Sequence, residues 1–178
     1  MTNATDEMVL SVLGTPDPQL VTSDWMPTAD GEIDGVFAKQ VANVLTDNGY
    51  LTELWRSDWL LDGGPVDQVF QRVMQPATIS AWHVHLRTTD RLSCAIGQLL
   101  VVLYDARAAS PTHGAIAQFR FGERRPAVIS VPPGVYHGVR NIGTTSAVLV
   151  NAVDAAYDYD APDHHRLPPD CADIPYQW

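Results

Sequence analysis

From Val36 onward the apolar residues of this chain fall in short runs with β-branched and aromatic enrichment, never in the long one-sided stripe of an amphipathic helix. Residues 50–55 alternate loosely, residues 66–73 and 79–85 follow, and residues 115–121, 127–131 and 147–153 continue the rhythm. Residues 98–104, Gln-Leu-Leu-Val-Val-Leu-Tyr, are continuous enough to predict a strand buried on both faces. Turn signals separate the runs: Asp47-Asn48-Gly49, Asp62-Gly63-Gly64 and Ile142-Gly143-Thr144-Thr145. Only residues 9–13 and the proline-rich tail leave room for a turn of helix. The pattern predicts an all-β chain, and a double-stranded β-helix, or jelly roll, closes so many short strands without long exposed edges. No internal repeat or low-complexity segment interrupts it.

The 178 residues fit one domain with a sizeable core. Residues 1–35 mix short apolar pieces with Pro16, Pro18, Pro27 and several aspartates, and read as an arm wrapping the body or a partner subunit. Residues 36–178 read as the single domain, ending in a short C-terminal extension. The net charge of -10, with no Lys/Arg run, argues against nucleic-acid and anionic-membrane surfaces. An anionic ligand would have to be met by a few placed arginines. Residues 1–7 are polar and acidic and no apolar run reaches bilayer length, so the expectation is a soluble, cytoplasmic protein. Cys94 and Cys171 make neither a metal-ligand spacing nor a disulfide framework.

The candidate chemistry lies in two histidine-bearing segments. Trp82-His83-Val84-His85 runs on to Asp90 and Gly97, and Pro132-Pro133-Gly134-Val135-Tyr136-His137 runs on to Asn141. Side chains two apart on a strand share a face, so His83 and His85 project together while Trp82 and Val84 point away. A paired strand would bring His137 to meet them, and three converging imidazoles suit proton transfer or metal binding. Written as H-x-H-x4-D-x6-G and P-x-G-x2-H-x3-N, the segments resemble the two signature motifs of the cupin superfamily.

Within the cupins, roughly three quarters of the chain, from Asp47 on, resembles the dTDP-4-dehydrorhamnose 3,5-epimerase family. The resemblance rests on Tyr104-Asp105-Ala106-Arg107 with Ser110-Pro111-Thr112, on Val131-Pro132-Pro133-Gly134-Val135-Tyr136-His137-Gly138-Val139, and on the tail. That tail reads Tyr157-Asp158-Tyr159-Asp160-Ala161-Pro162-Asp163, then Leu167-Pro168-Pro169-Asp170 and Ile174-Pro175-Tyr176-Gln177-Trp178. It implies a catalytic base at His83, with Asp170 as the carboxylate behind it. An imidazole backed by a carboxylate suits removal of the weakly acidic proton beside a ketone. Glu53, Arg56 and Gln68 are implied on cavity-lining strands.

The departures are specific. Asn48 and Leu51 stand at the arginine and phenylalanine of the usual D-x-R-G-x-F-x-E, although Gly49 and Glu53 remain. The usual Arg-Gly-Leu-His is Ser80-Ala81-Trp82-His83, which removes an arginine expected on the nucleotide phosphates. Phe70 replaces an asparagine, and His85 a glutamine. Arg91 stands near the enolate-stabilising lysine, and Asn151 at the reprotonating tyrosine, leaving Tyr157 or Tyr159 to serve as the acid. Trp82 through Leu92 resembles a divergent branch of the family.

Three readings follow. The first is a metal-free, cofactor-free epimerase or isomerase of a sugar nucleotide, with His83, Asp170 and Tyr157 catalytic and Glu53, Gln68, His85, Arg91, His137 and Asn151 on the substrate. The second is a metal-dependent cupin with His83, His85 and His137 as ligands and Asp90 as a fourth. The third is a non-catalytic sugar- or metabolite-binding cupin. The resemblance also implies a homodimer. His113, His164 and His165 are loop residues by context.

Overall fold

The computed structural model describes residues 17, 19–25, 27, 31–59, 61 and 63–178. The helical turn expected over residues 9–13 lies outside them. Among the described residues there is no helix; the tail, where a turn of helix had room, is a run of bends and turns with one two-residue strand.

The strands are β1 (Phe37–Gln40), β2 (Asn43–Thr46), β3 (Gly49–Thr52), β4 (Gln68–Met74), β5 (Ile79–Val84), β6 (Asp90–Ile96), β7 (Gln98–Asp105), β8 (Ile116–Gly122), β9 (Ala127–Val131), β10 (Val135–Asn141), β11 (Ala147–Val153) and β12 (His165–Arg166). They form two five-stranded antiparallel sheets, ordered β1-β9-β6-β11-β4 and β12-β5-β10-β7-β8, and a separate β2-β3 hairpin. This is the jelly roll the pattern predicts. β6 is among the strands that the apolar rhythm does not announce, because it opens on Asp90 and Arg91. Both are nevertheless buried, at 2% and 1% exposure.

The long apolar run of β7 is explained by what covers each face. Leu99, Val101 and Leu103 join Leu92, Ile129, Val131, Val139 and Leu149 in the core between the sheets. Leu100 and Val102 face outward and are covered by Trp82, Leu167, Ile174, Tyr176 and Trp178 of the second cluster. Burying side chains of this size contributes about 1.5–3 kcal/mol each. The tail therefore serves as a third layer over the second sheet. It lies so close that a Cβ added at Gly138 would stand 2.3 Å from the Trp178 ring.

Ile33, 5% exposed, reaches from the N-terminal segment into the core. Arg107 Nη2 donates to the Asp34 carbonyl at 2.6 Å, holding the approach to β1. Beyond Leu92, Val139 and Leu149 the space between the sheets is no longer filled with apolar side chains, and a cavity opens.

Candidate active site

The cavity measures about 410 Å³ and is walled by β4, β5, β6, β10 and β11, with the 155–164 segment across it. His83, His85 and His137 all line it. Register brings them together: His137 is paired directly with His83 across β10 and β5. The His137 ring stacks against His83 and against His85, with centroids 5.6 Å away in both cases.

A fourth imidazole completes the cluster. β12 pairs with β5, setting Arg166 opposite His83 and His165 opposite Val84. That pairing lays His164 into the cavity, 5.1 Å from both the His83 and His85 rings. The loop before β6 is tied to the same segment. The Asp163 carboxylate accepts the N–H groups of Leu86, Arg87 and Thr88 and the Thr88 hydroxyl at 2.8–3.1 Å. Burial pushes the Asp163 carboxyl up, but these donors outweigh it and hold the group below the usual carboxylate range.

His83 is fixed at both ring nitrogens. Its Nδ1 lies 2.9 Å from His164 Nε2, and its Nε2 lies 2.8 Å from Ser80 Oγ. Arg166 Nε also donates to His164 Nε2, at 3.3 Å, so that nitrogen is an acceptor. His83 Nδ1 must then carry the proton, and in the neutral ring Nε2 presents its lone pair to the Ser80 hydroxyl. Burial, followed by the nearby His137, Arg166, His164 and Arg72, pushes His83 down to about 3, so the ring is neutral at physiological pH. Burial also lowers His137, against the opposing Asp90 carboxylate, and lowers His164.

Asp90 is the carboxylate of the site. Asn151 Oδ1 accepts the Arg91 N–H at 3.0 Å, and Asn151 Nδ2 donates to Asp90 Oδ1. Asp90 Oδ2 is left facing His85 Nε2 at 3.3 Å and His137 Nε2 at 3.7 Å. His85, Asp90 and His137 together form a cluster whose ligand atoms lie within 4.8 Å of one another. The opposite His85 nitrogen, Nδ1, is hydrogen-bonded to the Asp163 carbonyl.

The remaining expected site residues divide into those the cavity gathers and those it does not. Gln68 lines it and accepts the Tyr157 N–H at 3.0 Å, and Tyr157 is at its mouth, half exposed, edge-on to Tyr159. Asn151 lines it as well, but its side chain is committed to Arg91 and Asp90. Asp170 does not stand behind His83: it is exposed and lies outside the cavity lining, and the partner of His83 Nδ1 is His164.

Arg91 is on the wrong face. Strand alternation sends Asp90 and Leu92 inward and Arg91 outward, where its guanidinium lies over the Trp55 ring at 4.5 Å and donates to the Gly64 carbonyl at 2.7 Å. Glu53 is exposed beyond β3, paired with Arg56, and lies outside the cavity lining.

Sequence reasoning misses Ser80, Asp163 and His164. Ser80 is three residues before His83, the wrong parity for a shared face on a regular strand. The register shift in β5, with Val139 opposite Ser80 but His137 opposite His83, inserts one extra residue and turns Ser80 inward. Asp163 and His164 carry no local signal, because only the β12–β5 pairing brings them to the site.

A family model described as dTDP-4-dehydrorhamnose 3,5-epimerase matches residues 30–178. The chain is 38% identical over 133 residues to the probable low-salt glycan biosynthesis epimerase Agl13 of Haloferax volcanii, covering 73% of this chain and 84% of that protein. It is 34% identical over 147 residues to the spore coat polysaccharide biosynthesis protein SpsL of Bacillus subtilis, covering 82% and 96%. Among solved structures, a dTDP sugar isomerase from Desulfovibrio desulfuricans G20 superposes with a TM-score of 0.77 at 26% identity, covering 82% of this chain and 92% of that one.

Proposed function

Because the chain belongs to the dTDP-4-dehydrorhamnose 3,5-epimerase family, we propose that it is an epimerase or isomerase of a dTDP-linked keto sugar. It removes and returns the proton on a carbon beside the ketone. The observation that carries this reading is His83: a neutral imidazole in a cavity wall, with Nδ1–H committed to His164 and the Nε2 lone pair beside Ser80. Such a ring is a base whose orientation and tautomer are set before substrate arrives. The Ser80 hydroxyl can turn from donor to acceptor as the base takes up a proton.

Tyr157, at the mouth and held through its backbone by Gln68, is the acid that returns a proton from the other side of the sugar. The phosphates meet Arg72 on β4 and Arg87 in the loop before β6, the two arginines of the cavity lining. They take over from the arginine that Ser80 replaces. Both also reduce the dependence on net charge, since an anion can be bound locally by a chain of charge -10.

The working assembly is a homodimer. The β2-β3 hairpin exposes Val44, Leu45, Tyr50 and Leu51, and β4, at the other edge of its sheet from β1, exposes Val69 and Val73; a second copy would cover such apolar side chains. Sugar nucleotides are cytoplasmic metabolites, and the two free cysteines, Cys94 and Cys171, suit that compartment.

Incubation with dTDP-linked 4-keto sugars in D2O, followed by proton NMR, tests the activity. The expected result is wash-in of deuterium beside the ketone, slowed about 10²–10⁴-fold by His83→Gln. A wild-type protein that binds these sugars and exchanges nothing would be a binding module instead.

A further inference from the structure

On the reading of the ligand as a dTDP-linked keto sugar, we infer that Asp90 determines which sugar the cavity takes: its free carboxylate oxygen receives a hydroxyl of the bound sugar and keeps the ketone off this wall. Strand alternation points Asp90 into the cavity, yet the residue is only 2% exposed. Asn151 Nδ2 donates to Oδ1, and among the described residues Oδ2 has no hydrogen-bond partner.

A buried carboxylate oxygen without a donor is costly, and the neighbouring side chains do not provide one. The Ser80 hydroxyl is engaged with His83, and the Thr88 hydroxyl donates to Asp163. The Asn151 amide holds Oδ1 and accepts the Arg91 N–H, which also prevents the carboxylate from swinging away. Leu92, Val139 and Leu149, which share the lining with Asp90, have no polar side-chain atoms to offer.

The imidazoles do not provide a donor either. His85 Nε2 is 3.3 Å from Oδ2 and His137 Nε2 is 3.7 Å from it, whereas a charge-assisted N–H···O bond closes to about 2.7–2.9 Å. The Asp163 carbonyl can only accept, so His85 Nδ1 carries a proton, and in the neutral ring Nε2 is a second bare acceptor beside the carboxylate.

Two acceptors side by side select by polarity. A hydroxyl proton is attracted to them; a ketone oxygen, or the enolate oxygen it becomes, can only accept and is repelled. The position identifies whose hydroxyl it is. The His137 ring lies between Oδ2, 3.7 Å from its Nε2, and the His83 ring, stacked 5.6 Å away, so the group on Oδ2 belongs to the sugar that meets His83 and not to the nucleotide. The substrate therefore keeps a hydroxyl near its reacting carbon, and its ketone faces another wall of the cavity.

The test is calorimetric binding of dTDP, of dTDP-glucose and of four dTDP-glucose analogues. In each analogue one hydroxyl, on the second, third, fourth or sixth carbon, is replaced by fluorine, which removes the donor at little change in size. Replacement on the second, third or sixth carbon is expected, at one of these positions, to weaken binding to the wild type about 10–100-fold. Asp90→Asn should bring that analogue to within about threefold of dTDP-glucose. The Asn151 NH2 keeps the new amide oxygen at the Oδ1 position, which leaves an amide NH2, a donor, where Oδ2 stood. Circular dichroism confirms folding of the variant, and the wild-type series stands without it. Four analogues all within about threefold of dTDP-glucose, a loss confined to the fourth carbon, where the ketone stands, or a loss that persists in folded Asp90→Asn would overturn the assignment and leave the sugar-nucleotide reading intact. Failure of both dTDP and dTDP-glucose to bind at about 1 mM would overturn the two together.

Discussion

His83 Nδ1 and His164 Nε2 lie 2.9 Å apart although 81 positions separate them in the chain. The family pattern leads one to expect a carboxylate, Asp170, behind this imidazole. Here a second imidazole, steadied by Arg166, occupies that place, and Asp170 is exposed. If His164 sets the tautomer of His83, His164→Ala lowers the exchange rate about 10–100-fold, mostly in kcat. Partial rescue by His164→Gln, whose amide oxygen can accept the same proton, separates a positioning role from a loss of packing. Asp170→Asn should stay within about threefold of wild type. Steady-state rates for the three variants decide the matter, and a large loss in Asp170→Asn would restore the expected dyad.

The jelly roll is legible in the sequence because its evidence is local: β7 announces itself by an uninterrupted apolar run, and β9 and β11 by short β-branched ones. The His83, His85 and His137 convergence is also legible, since strand parity and one pairing suffice. What is not legible is set by register. One extra residue in β5 turns Ser80 inward, and a two-residue strand delivers His164. Arg91 is misjudged for a related reason. A charge next to a site looks like part of it, but alternation in β6 commits Asp90 to the cavity and its neighbour to Trp55.

Arg72 and Arg87 are the guanidinium groups of the cavity lining. Their contacts with a diphosphate would be made equally in the ground state and the transition state, so their loss should appear as uniform binding. Arg72→Ala and Arg87→Ala should each raise KM about 10-fold with kcat nearly unchanged, and the effect should shrink at high salt. A fall in kcat at constant KM would instead place these side chains on the reacting carbonyl.

Leu45 and Leu51 are 82% and 67% exposed on the β2-β3 hairpin, an unusual setting for two leucines in a monomer. If a second copy covers them, the double substitution Leu45→Glu with Leu51→Glu should convert a dimer to a folded monomer. Light scattering coupled to gel filtration reads this directly. A wild-type protein that elutes as a monomer at all concentrations would remove the assembly from the proposal.

Asp105 is fully buried at the end of β7 and accepts from Arg107 Nε and Nη2 at 2.8 Å, Ser110 Oγ at 2.6 Å and Thr112 Oγ1 at 2.7 Å. Burial pushes its carboxyl up, but these donors together hold it below the ordinary value of 3.8. At acid pH the unfolded chain therefore takes up this proton before the folded one does. The carboxylate's contribution to stability is present above about pH 3.8 and drains away as the pH falls below it. Asp105→Asn leaves Arg107 facing a neutral amide, and should lower the unfolding free energy at pH 7 by about 3 kcal/mol. Urea unfolding at pH 7 and at pH 3 should show the gap between wild type and variant narrowing on acidification. A gap that stays constant across that range would mean that folding does not shift the Asp105 carboxyl, and the stability lost in the variant would come from packing and hydrogen bonding rather than from the charge.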